Sequence, residues 1–196
     1  MRKIQIEKNI KKFEEFNKEK QEEILNNYRD INVDFEDWNG YILNEFIDEV
    51  KQKTDLEINT NDIIWEVGNR NSKFGIYAKS VLNQLLHRFE SKGVYDIDTT
   101  GKLGSFLFHR GGGICSQNHT ELSSAGVNFE DDNITMEKRK AVTEQINKVI
   151  DEIIELSTEY HNRNEKAYNN MLSDESVKDT IEANEYEFDE ETLKIY

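Results

Sequence analysis

One long stretch of the chain alternates apolar and polar positions with the period of an α-helix. Its apolar side chains recur at steps of three and four residues, and Glu, Lys, Asn and Asp fill the positions between them. They are Val142, Ile146, Val149, Ile150, Ile153, Leu156, Tyr160, Ala167, Tyr168 and Met171. The spacing predicts one amphipathic helix over Ile134–Leu172, with Val142–Leu156 closing the core. Because neither Gly nor Pro interrupts it, we expect a length of roughly 55 Å.

Two shorter helical patterns precede this stretch. Asn9–Asp30 and Phe35–Lys53 each carry an apolar stripe. Asp34 is a typical N-cap for the second helix, and Glu36 and Asp37 would lie favourably in its first turn. The two patterns predict an N-terminal helix hairpin over a common core.

The centre of the chain has a different period. β-branched and aromatic residues concentrate in short runs that Gly, Asn and Asp separate, which predicts antiparallel strands. The expected strands are Asp62–Val67, Lys73–Ala78, Leu103–His109 and Ile114–Leu122, with Val127–Phe129 as an extension of the sheet. A short helix is expected over Val81–Phe89 and a polar loop over Asp96–Lys102. The predicted fold is α+β, with a small antiparallel sheet of about four strands packed with the N-terminal helix hairpin and the long C-terminal helix.

Charge is distributed unevenly along the chain. The net charge is -15, and residues 151–196 hold fourteen acids and four bases, while residues 31–70 hold ten acids and three bases. The remainder of the chain is nearly neutral. Such a field repels nucleic acid and accelerates encounter with a basic protein surface. We therefore expect a protein partner and no direct binding to nucleic acid.

The most acidic segment directly follows the long helix. Ser173 is a good N-cap, Asp174 and Glu175 suit the first turn of a last helix, and Asn184 is suited to stop that helix in the left-handed conformation. The preceding Tyr160–Leu172 is poor in apolar residues. We therefore expect this part of the long helix to project from the body. The predicted organisation is one domain over residues 1–172, followed by an acidic helix and arm over residues 173–196.

Carboxylates in this segment are spaced at helical and then at extended intervals. Such a line of charge can imitate the phosphates of a nucleic acid, and the alternative is a solvated face that only keeps the protein dispersed. The candidate partner-binding residues are Asp174, Glu175, Asp179, Glu182, Glu185, Glu187, Asp189 and Glu190, together with Asp34, Glu36 and Asp37 from the other acidic block.

The chain has a single cysteine, Cys115, and it lies between His109 and His119. These side chains could ligate zinc, or the thiol could act as a nucleophile with a histidine as base. The spacing fits no standard zinc motif, and no local sequence places an oxyanion hole. A small core-filling thiol is favoured instead. We expect no enzymatic activity, no metal and no cofactor.

No run of 18 apolar residues occurs, and Met1–Glu7 lacks the apolar centre of a signal peptide. The sequence thus predicts no membrane association and a cytosolic location.

Three stretches together resemble a family of small acidic proteins encoded in bacteriophages and prophages. They are Tyr28–Trp38 (YRDINVDFEDW), Ile63–Gly68 continuing to Lys73-Phe74, and Leu172–Glu175 with Ala183–Phe188. In the second stretch Glu66-Val67-Gly68 follows Trp65, where the family usually has Ser-Gln-Gly-Asp-Gly before a Phe. The resemblance extends over most of the chain and supplies no established catalytic residue.

This resemblance implies a phage accessory protein in the host bacterial cytosol that blocks a defence system by binding, of the anti-CRISPR or anti-restriction type. The acidic segment would occupy a basic nucleic-acid channel of the defence effector. Two alternatives stay open. One is an antitoxin-like or assembly protein that forms a homodimer through exposed positions of the long helix such as Tyr160 and Tyr168. The other is an enzyme that uses Cys115 with His109 or His119.

Overall fold

The structure is a computed structural model, and it describes residues 9–34, 37–67, 71–99, 105–111, 118–120, 125–129 and 134–196. The helices are α1 Lys18–Asn27, α2 Gly40–Thr54, α3 Ala78–Phe89, α4 Met136–Met171 and α5 Asp174–Ala183. The strands are β1 Ile10–Lys12, β2 Ile63–Glu66, β3 Asn71–Tyr77, β4 Val94–Thr99, β5 Ser105–Gly111, β6 Asn118–Thr120, β7 Ala125–Phe129 and β8 Glu187–Asp189. Helices combined with small antiparallel sheets confirm the predicted α+β class.

The chain divides into two compact units. The terminal unit consists of Met1–Trp38 and Ala167–Tyr196, and the central unit is Asn39–Lys166. This division differs from the predicted one, in which residues 173–196 stood apart from a single domain. The two ends of the chain, far apart in sequence, belong to the same unit.

The terminal unit is built around a pair of short strands. β1 and β8 pair antiparallel, with Ile10 opposite Asp189 and Lys12 opposite Glu187. Apolar side chains from both ends of the chain form one core under them, in which Phe188 contacts the rings of Phe16 and Tyr28 edge-on. The buried members are Phe13, Phe16, Ile24, Val177, Ile181, Phe188 and Leu193.

The first predicted helix is shorter than its apolar stripe. Asn9–Asp30 was expected to be helical throughout, but β1 and a 3-10 turn at Phe13–Glu15 occupy its first part. The side chain of Asn17 accepts a hydrogen bond from the backbone N–H of Lys20 at 3.0 Å, so the helix begins only after this cap. Pairing with β8 supplies the hydrogen bonds that the residues before the cap would otherwise have found in a helix.

The central unit contains a four-stranded antiparallel sheet in the order β2-β3-β5-β6, and β4 and β7 form a separate pair. The predicted hairpin is confirmed, with Trp65 opposite Phe74. The prediction of a loop over Asp96–Lys102 is wrong in its first part, because β4 runs to Thr99 and pairs with β7.

The second helix, α2, begins later than predicted. Its N-cap is Asn39, five residues after Asp34, so the predicted capping role of Asp34 is wrong. The side chain of Asn39 gives no cap hydrogen bond and donates instead to Asn164 at 3.1 Å. α1 lies in the terminal unit and α2 in the central unit, which differs from the predicted hairpin over one common core.

The long helix α4 is confirmed and spans 36 residues, or about 54 Å. Val142, Ile146, Ile150, Ile153 and Leu156 are buried, as predicted for the face that closes the core. Its next turns stay buried but become polar, with Ser157, His161 and Asn164 at 1% exposure or less. The expectation that Tyr160–Leu172 projects into solvent is therefore wrong for its first turns.

Helix α5 has the predicted start and a different stop. Ser173 caps it by accepting from the N–H of Ser176 at 3.2 Å. At the other end, Glu185 and not Asn184 takes the left-handed conformation, with φ +51°. The N–H of Tyr186 then bonds to the carbonyl of Ile181, and the N–H of Glu185 to that of Glu182, which closes the helix as a Schellman motif.

Candidate functional site

The predicted acidic segment is part of the core of the terminal unit and not an appended arm. Val177 and Ile181 of α5 and Phe188 of β8 are at most 1% exposed, and they pack with apolar residues from the N-terminal end of the chain. The predicted division, with residues 173–196 set apart from the domain as an acidic helix and arm, differs from this packing, in which the apolar positions between the acids anchor the segment. The exposed positions of the segment lie on the other side of α5, in the turn after it, and at single positions of β8 and of the C-terminal end.

Six of the predicted carboxylates are at exposed positions, five of them on α5 and in the turn after it and one, Glu187, on β8. Glu175, Asp179 and Glu182 follow one another along α5 at intervals of four and three residues, which places them on one face. All six are exposed, namely Asp174, Glu175, Asp179, Glu182, Glu185 and Glu187. Asp179 makes no side-chain hydrogen bond or ion pair within the described ranges, and the nearest cation to Glu182 is Lys178, at 3.6 Å. We name Glu175, Asp179, Glu182 and Glu185 the acidic face.

Asp174 is exposed but already committed to its own chain. Arg29 forms an ion pair with its carboxylate and also donates to the carbonyl of Leu172 at 2.9 Å. Asn32 donates in addition to the carbonyl of Met171 at 3.0 Å. These contacts tie the junction of α4 and α5 to the segment after α1, so Asp174 has a structural task.

Asp189 is only 8% exposed. One of its carboxylate oxygens accepts from the N–H of Glu191 at 3.1 Å, from the N–H of Thr192 at 2.9 Å and from the Thr192 hydroxyl at 3.0 Å. This arrangement builds the final turn, and it leaves little of Asp189 for a partner.

Glu190 is half-buried against the N-terminal end of the chain. Lys11 lies 2.6 Å from its carboxylate, and Asn9 donates to it as well. The hydrogen bond from Lys11 is the main cause that lowers the pKa of Glu190 below its ordinary value. Like Asp189, this predicted partner-binding residue holds the two ends of the chain together.

The second acidic block contributes less than expected. Asp34 and Asp37 are exposed in the terminal unit, and Glu36 lies outside the described residues. Asp34 and Asp37 make no side-chain ion pair or hydrogen bond in the part of the chain that the structure describes. Their predicted role in binding stays a prediction.

The central unit contains a buried polar cluster that the sequence pattern did not predict. The Ser72 hydroxyl donates to the Glu165 carboxylate at 2.8 Å and lies 3.4 Å from Nε2 of His161, which is itself 3.7 Å from Glu165. A catalytic triad needs the serine and the acid on different ring nitrogens. Here both face Nε2, and Ser72 and His161 are at most 2% exposed, so the cluster does not form an accessible nucleophile.

Asn164 precedes Glu165 on α4 and forms a buried amide pair with Asn39. Each leaves one polar atom without a partner within the described chain, Oδ1 of Asn39 and Nδ2 of Asn164. Such atoms are costly in a core and fix how the two backbones meet. The signal for these residues was present in the sequence, because His161 and Asn164 continue the apolar stripe of the long helix with polar side chains.

Tyr160 directly precedes His161 on α4 and is fully buried. Its ring packs on Phe46 and Phe74, and the Arg163 guanidinium lies 4.4 Å from the ring centroid. Burial, followed by the nearby Glu49 carboxylate, raises the pKa of the Tyr160 phenol to about 12. Tyr160 is therefore not an exposed dimerisation residue, and Tyr168 is half-buried against Trp38. The two positions on which the predicted helix-mediated dimer depended are thus occupied by intramolecular packing.

The cysteine and histidine cluster falls mostly outside the described residues. Cys115 is not among them, and His109 and His119 are described by their backbones, which pair opposite each other on β5 and β6. Within the described ranges no three side chains of His, Cys, Asp or Glu gather into a metal-binding group.

No helix in the part of the chain that the structure describes is both long and apolar enough to cross a membrane. Comparisons of the chain with protein-family models, with curated proteins and with solved structures found no match.

Proposed function

We propose that this protein is a binding protein and not an enzyme, and that its acidic face docks on a basic surface of a partner protein. The observation that carries the proposal is the row Glu175, Asp179 and Glu182, exposed along one side of α5. The buried apolar side of the same helix holds this row on an ordered element. An ordered row of like charges is a pre-organised electrostatic surface, which favours association with a complementary one.

The spacing of the carboxylates suggests which kind of basic surface fits. At a rise of about 1.5 Å per residue, neighbours in the row lie roughly 4.5 to 6 Å apart along the helix axis. Duplex DNA presents one charge per about 1.7 Å of its axis, and each strand taken alone one per about 3.4 Å. The row is therefore closer in charge density to a single strand than to a duplex. We propose a partner whose basic channel normally holds one nucleic-acid strand.

The finer proposal is an inhibitor of a bacterial defence effector of the CRISPR or restriction type, acting in the host cytosol. It is supported by the phage-like motifs of the sequence and by the acidic face. Defence nucleases hold nucleic acid through Lys and Arg, and a protein that fills such a channel competes with the substrate.

The test compares two triple charge reversals in the full chain. The first is Asp179→Lys, Glu182→Lys and Glu185→Lys on the acidic face. The matched control, Asp151→Lys, Glu155→Lys and Glu159→Lys, changes the net charge equally on the exposed side of α4. Each protein is used to capture host proteins at low and high salt, and each is expressed in cells to measure phage plating on strains that carry a defence system.

We expect the wild-type chain and the α4 control to capture the same basic protein at low salt only, and to raise plating. The acidic-face variant should do neither. Equal capture and plating with the acidic-face variant would refute the acidic face as the docking surface. Loss of binding in both variants would show that net charge, and not this face, is responsible.

A further inference from the structure

The central unit has a surface groove on the side of α4 where this helix begins. It lies between the first turns of α4 and the 3-10 turn Glu90–Lys92 that follows α3, and its volume is about 650 Å³. This volume falls within the range of about 300 to 1,000 Å³ that is typical of small-molecule sites. Its lining includes Ile134, Ala141 and Val142 as an apolar floor, and Lys92, Lys138 and Gln145 as polar groups. We name it the lysine groove.

A glycine fixes the shape of one wall. Gly93 ends the 3-10 turn with φ +84°, a conformation that side chains other than glycine rarely adopt. A Cβ atom at this position would collide with Cδ1 of Ile134. The absence of a side chain therefore allows Ile134 to lie against the turn, and the backbone sets the floor of the groove.

The two lysines differ in how they are held. The ammonium of Lys92 donates to Oε1 of Gln145 at 2.9 Å and lies 4.6 Å from the ring centroid of Phe89. The ammonium of Lys138 is exposed and makes no hydrogen bond or ion pair in the described chain. The groove thus combines one anchored cation with one uncommitted cation above an apolar floor.

Nearby carboxylates on α4 do not neutralise the uncommitted cation within the described residues. Glu144 pairs with Lys140, at 3.8 Å, and neither residue lines the groove. In a protein with a net charge of -15, a concave surface lined by two lysines and no described acid is a distinct electrostatic environment.

We propose that the lysine groove binds a small amphipathic carboxylate, a carboxylate carried on an aliphatic body. The floor removes the aliphatic part from water, and the ammonium of Lys138 faces the carboxylate. Neither half of such a ligand binds well alone. An exposed ion pair in water contributes little free energy, and a short aliphatic body without the carboxylate has no polar contact to orient it in the groove. This site is independent of the acidic face.

The ligand class is tested by titrating the full-length, isotope-labelled protein with octanoate, octan-1-ol and inorganic phosphate, observed by NMR. Octanoate should bind saturably with a dissociation constant on the order of 1 mM, and the amide signals of Ala141, Val142 and Gln145 should shift. Octanol and phosphate should each bind at least about fivefold more weakly, because each lacks one half of the recognition. Absence of saturable octanoate binding, equal binding of octanol, or shifts confined to other residues would overturn the proposal.

A pair of charge reversals locates the site. Lys138→Glu should weaken octanoate binding by about tenfold or more, since it replaces the attracting charge by a repelling one. Lys140→Glu on the same helix turn makes the same change in net charge outside the groove, and it should leave the affinity within about twofold. Equal effects of the two substitutions would show a non-specific field and would also overturn the proposal.

Discussion

The carboxylates of the C-terminal segment form two groups that are indistinguishable in composition and opposite in their surroundings. Asp189 and Glu190 are held by the terminal unit itself, through the final turn and through Lys11. Asp179 and Glu182 belong to the same acidic segment and face solvent. The difference shows that acidity in this segment has two physical roles, one in joining the ends of the chain and one on the surface.

The segment that carries both groups is part of the core of the terminal unit. Phe188 lies between Asp189 and the exposed Glu187, and its ring is fully buried, with ring centroids 6.4 Å from Phe16 and 5.6 Å from Tyr28. Phe188→Ala should lower the free energy of unfolding of the terminal unit by about 3 to 5 kcal/mol, the largest effect expected here.

Each unit carries one of the two tryptophans, Trp38 in the terminal unit and Trp65 in the central unit. Urea unfolding followed by Trp38 fluorescence in a Trp65→Phe background therefore reports on the terminal unit. Lys194→Ala, at an exposed position of the same segment, serves as the control. If the urea midpoint of Phe188→Ala equals that of Lys194→Ala, the segment is not part of the core.

The next largest effect concerns the carboxylate that faces inward. Asp189→Ala removes an acceptor of three hydrogen bonds and leaves the N–H of Thr192 unpaired in the final turn, and it should cost about 1 to 3 kcal/mol. Asp189→Asn keeps an oxygen at the same position, so its free energy of unfolding should fall by less than that of Asp189→Ala in the same urea experiment. Equal losses would assign the effect to the charge and not to the turn.

Glu190 should make the stability of the terminal unit depend on pH. Its folded pKa lies below the ordinary value of 4.5, mainly because Lys11 donates to the charged form. The stabilising contribution is therefore complete above pH 4.5 and is lost as the pH falls through the lowered pKa. Glu190→Gln should lower the urea midpoint at neutral pH and should make the midpoint fall less as the pH is lowered below 4.5. If the midpoint of this variant falls with pH as steeply as that of the wild-type protein, the Lys11 contact does not contribute to stability.

Local patterns predicted the elements whose hydrogen bonds are local. The long helix α4, the cap of α5 at Ser173 and the hairpin of β2 and β3 each follow from residues close together in sequence. β1 was missed because its partner, β8, lies more than 170 residues away and nothing in Ile10–Lys12 itself indicates this pairing. A three-residue strand offers too little pattern to compete with a helical stripe that continues past it.

The candidate site was predicted in part for a related reason. The run of acids was visible in the sequence, and Val177 and Ile181 stand between them at the four-residue spacing of a helix face. Which acids remain exposed depends on contacts with residues such as Lys11 and Arg29, from the other end of the chain. The partners of the buried His161 and Asn164 could not be predicted either. The helical pattern places these two side chains on the buried face of α4, but it does not indicate that they contact Ser72 and Asn39.

The smallest effect on stability is expected for the outward-facing group, and here the free energy of unfolding should not fall. Asp179 follows Glu175 by four residues on α5, beyond the first turn where the helix dipole favours a negative charge. Like charges at this spacing repel, so Asp179→Asn should leave the unfolding free energy of the terminal unit unchanged or raise it by about 0.2 to 0.5 kcal/mol. The same substitution should weaken capture of the basic partner proposed for the acidic face, at low salt more than at high salt. A carboxylate that lowers stability and raises affinity is one whose position is explained by binding and not by folding. A loss of stability comparable to that of Asp189→Ala would remove the distinction between the two groups of acids.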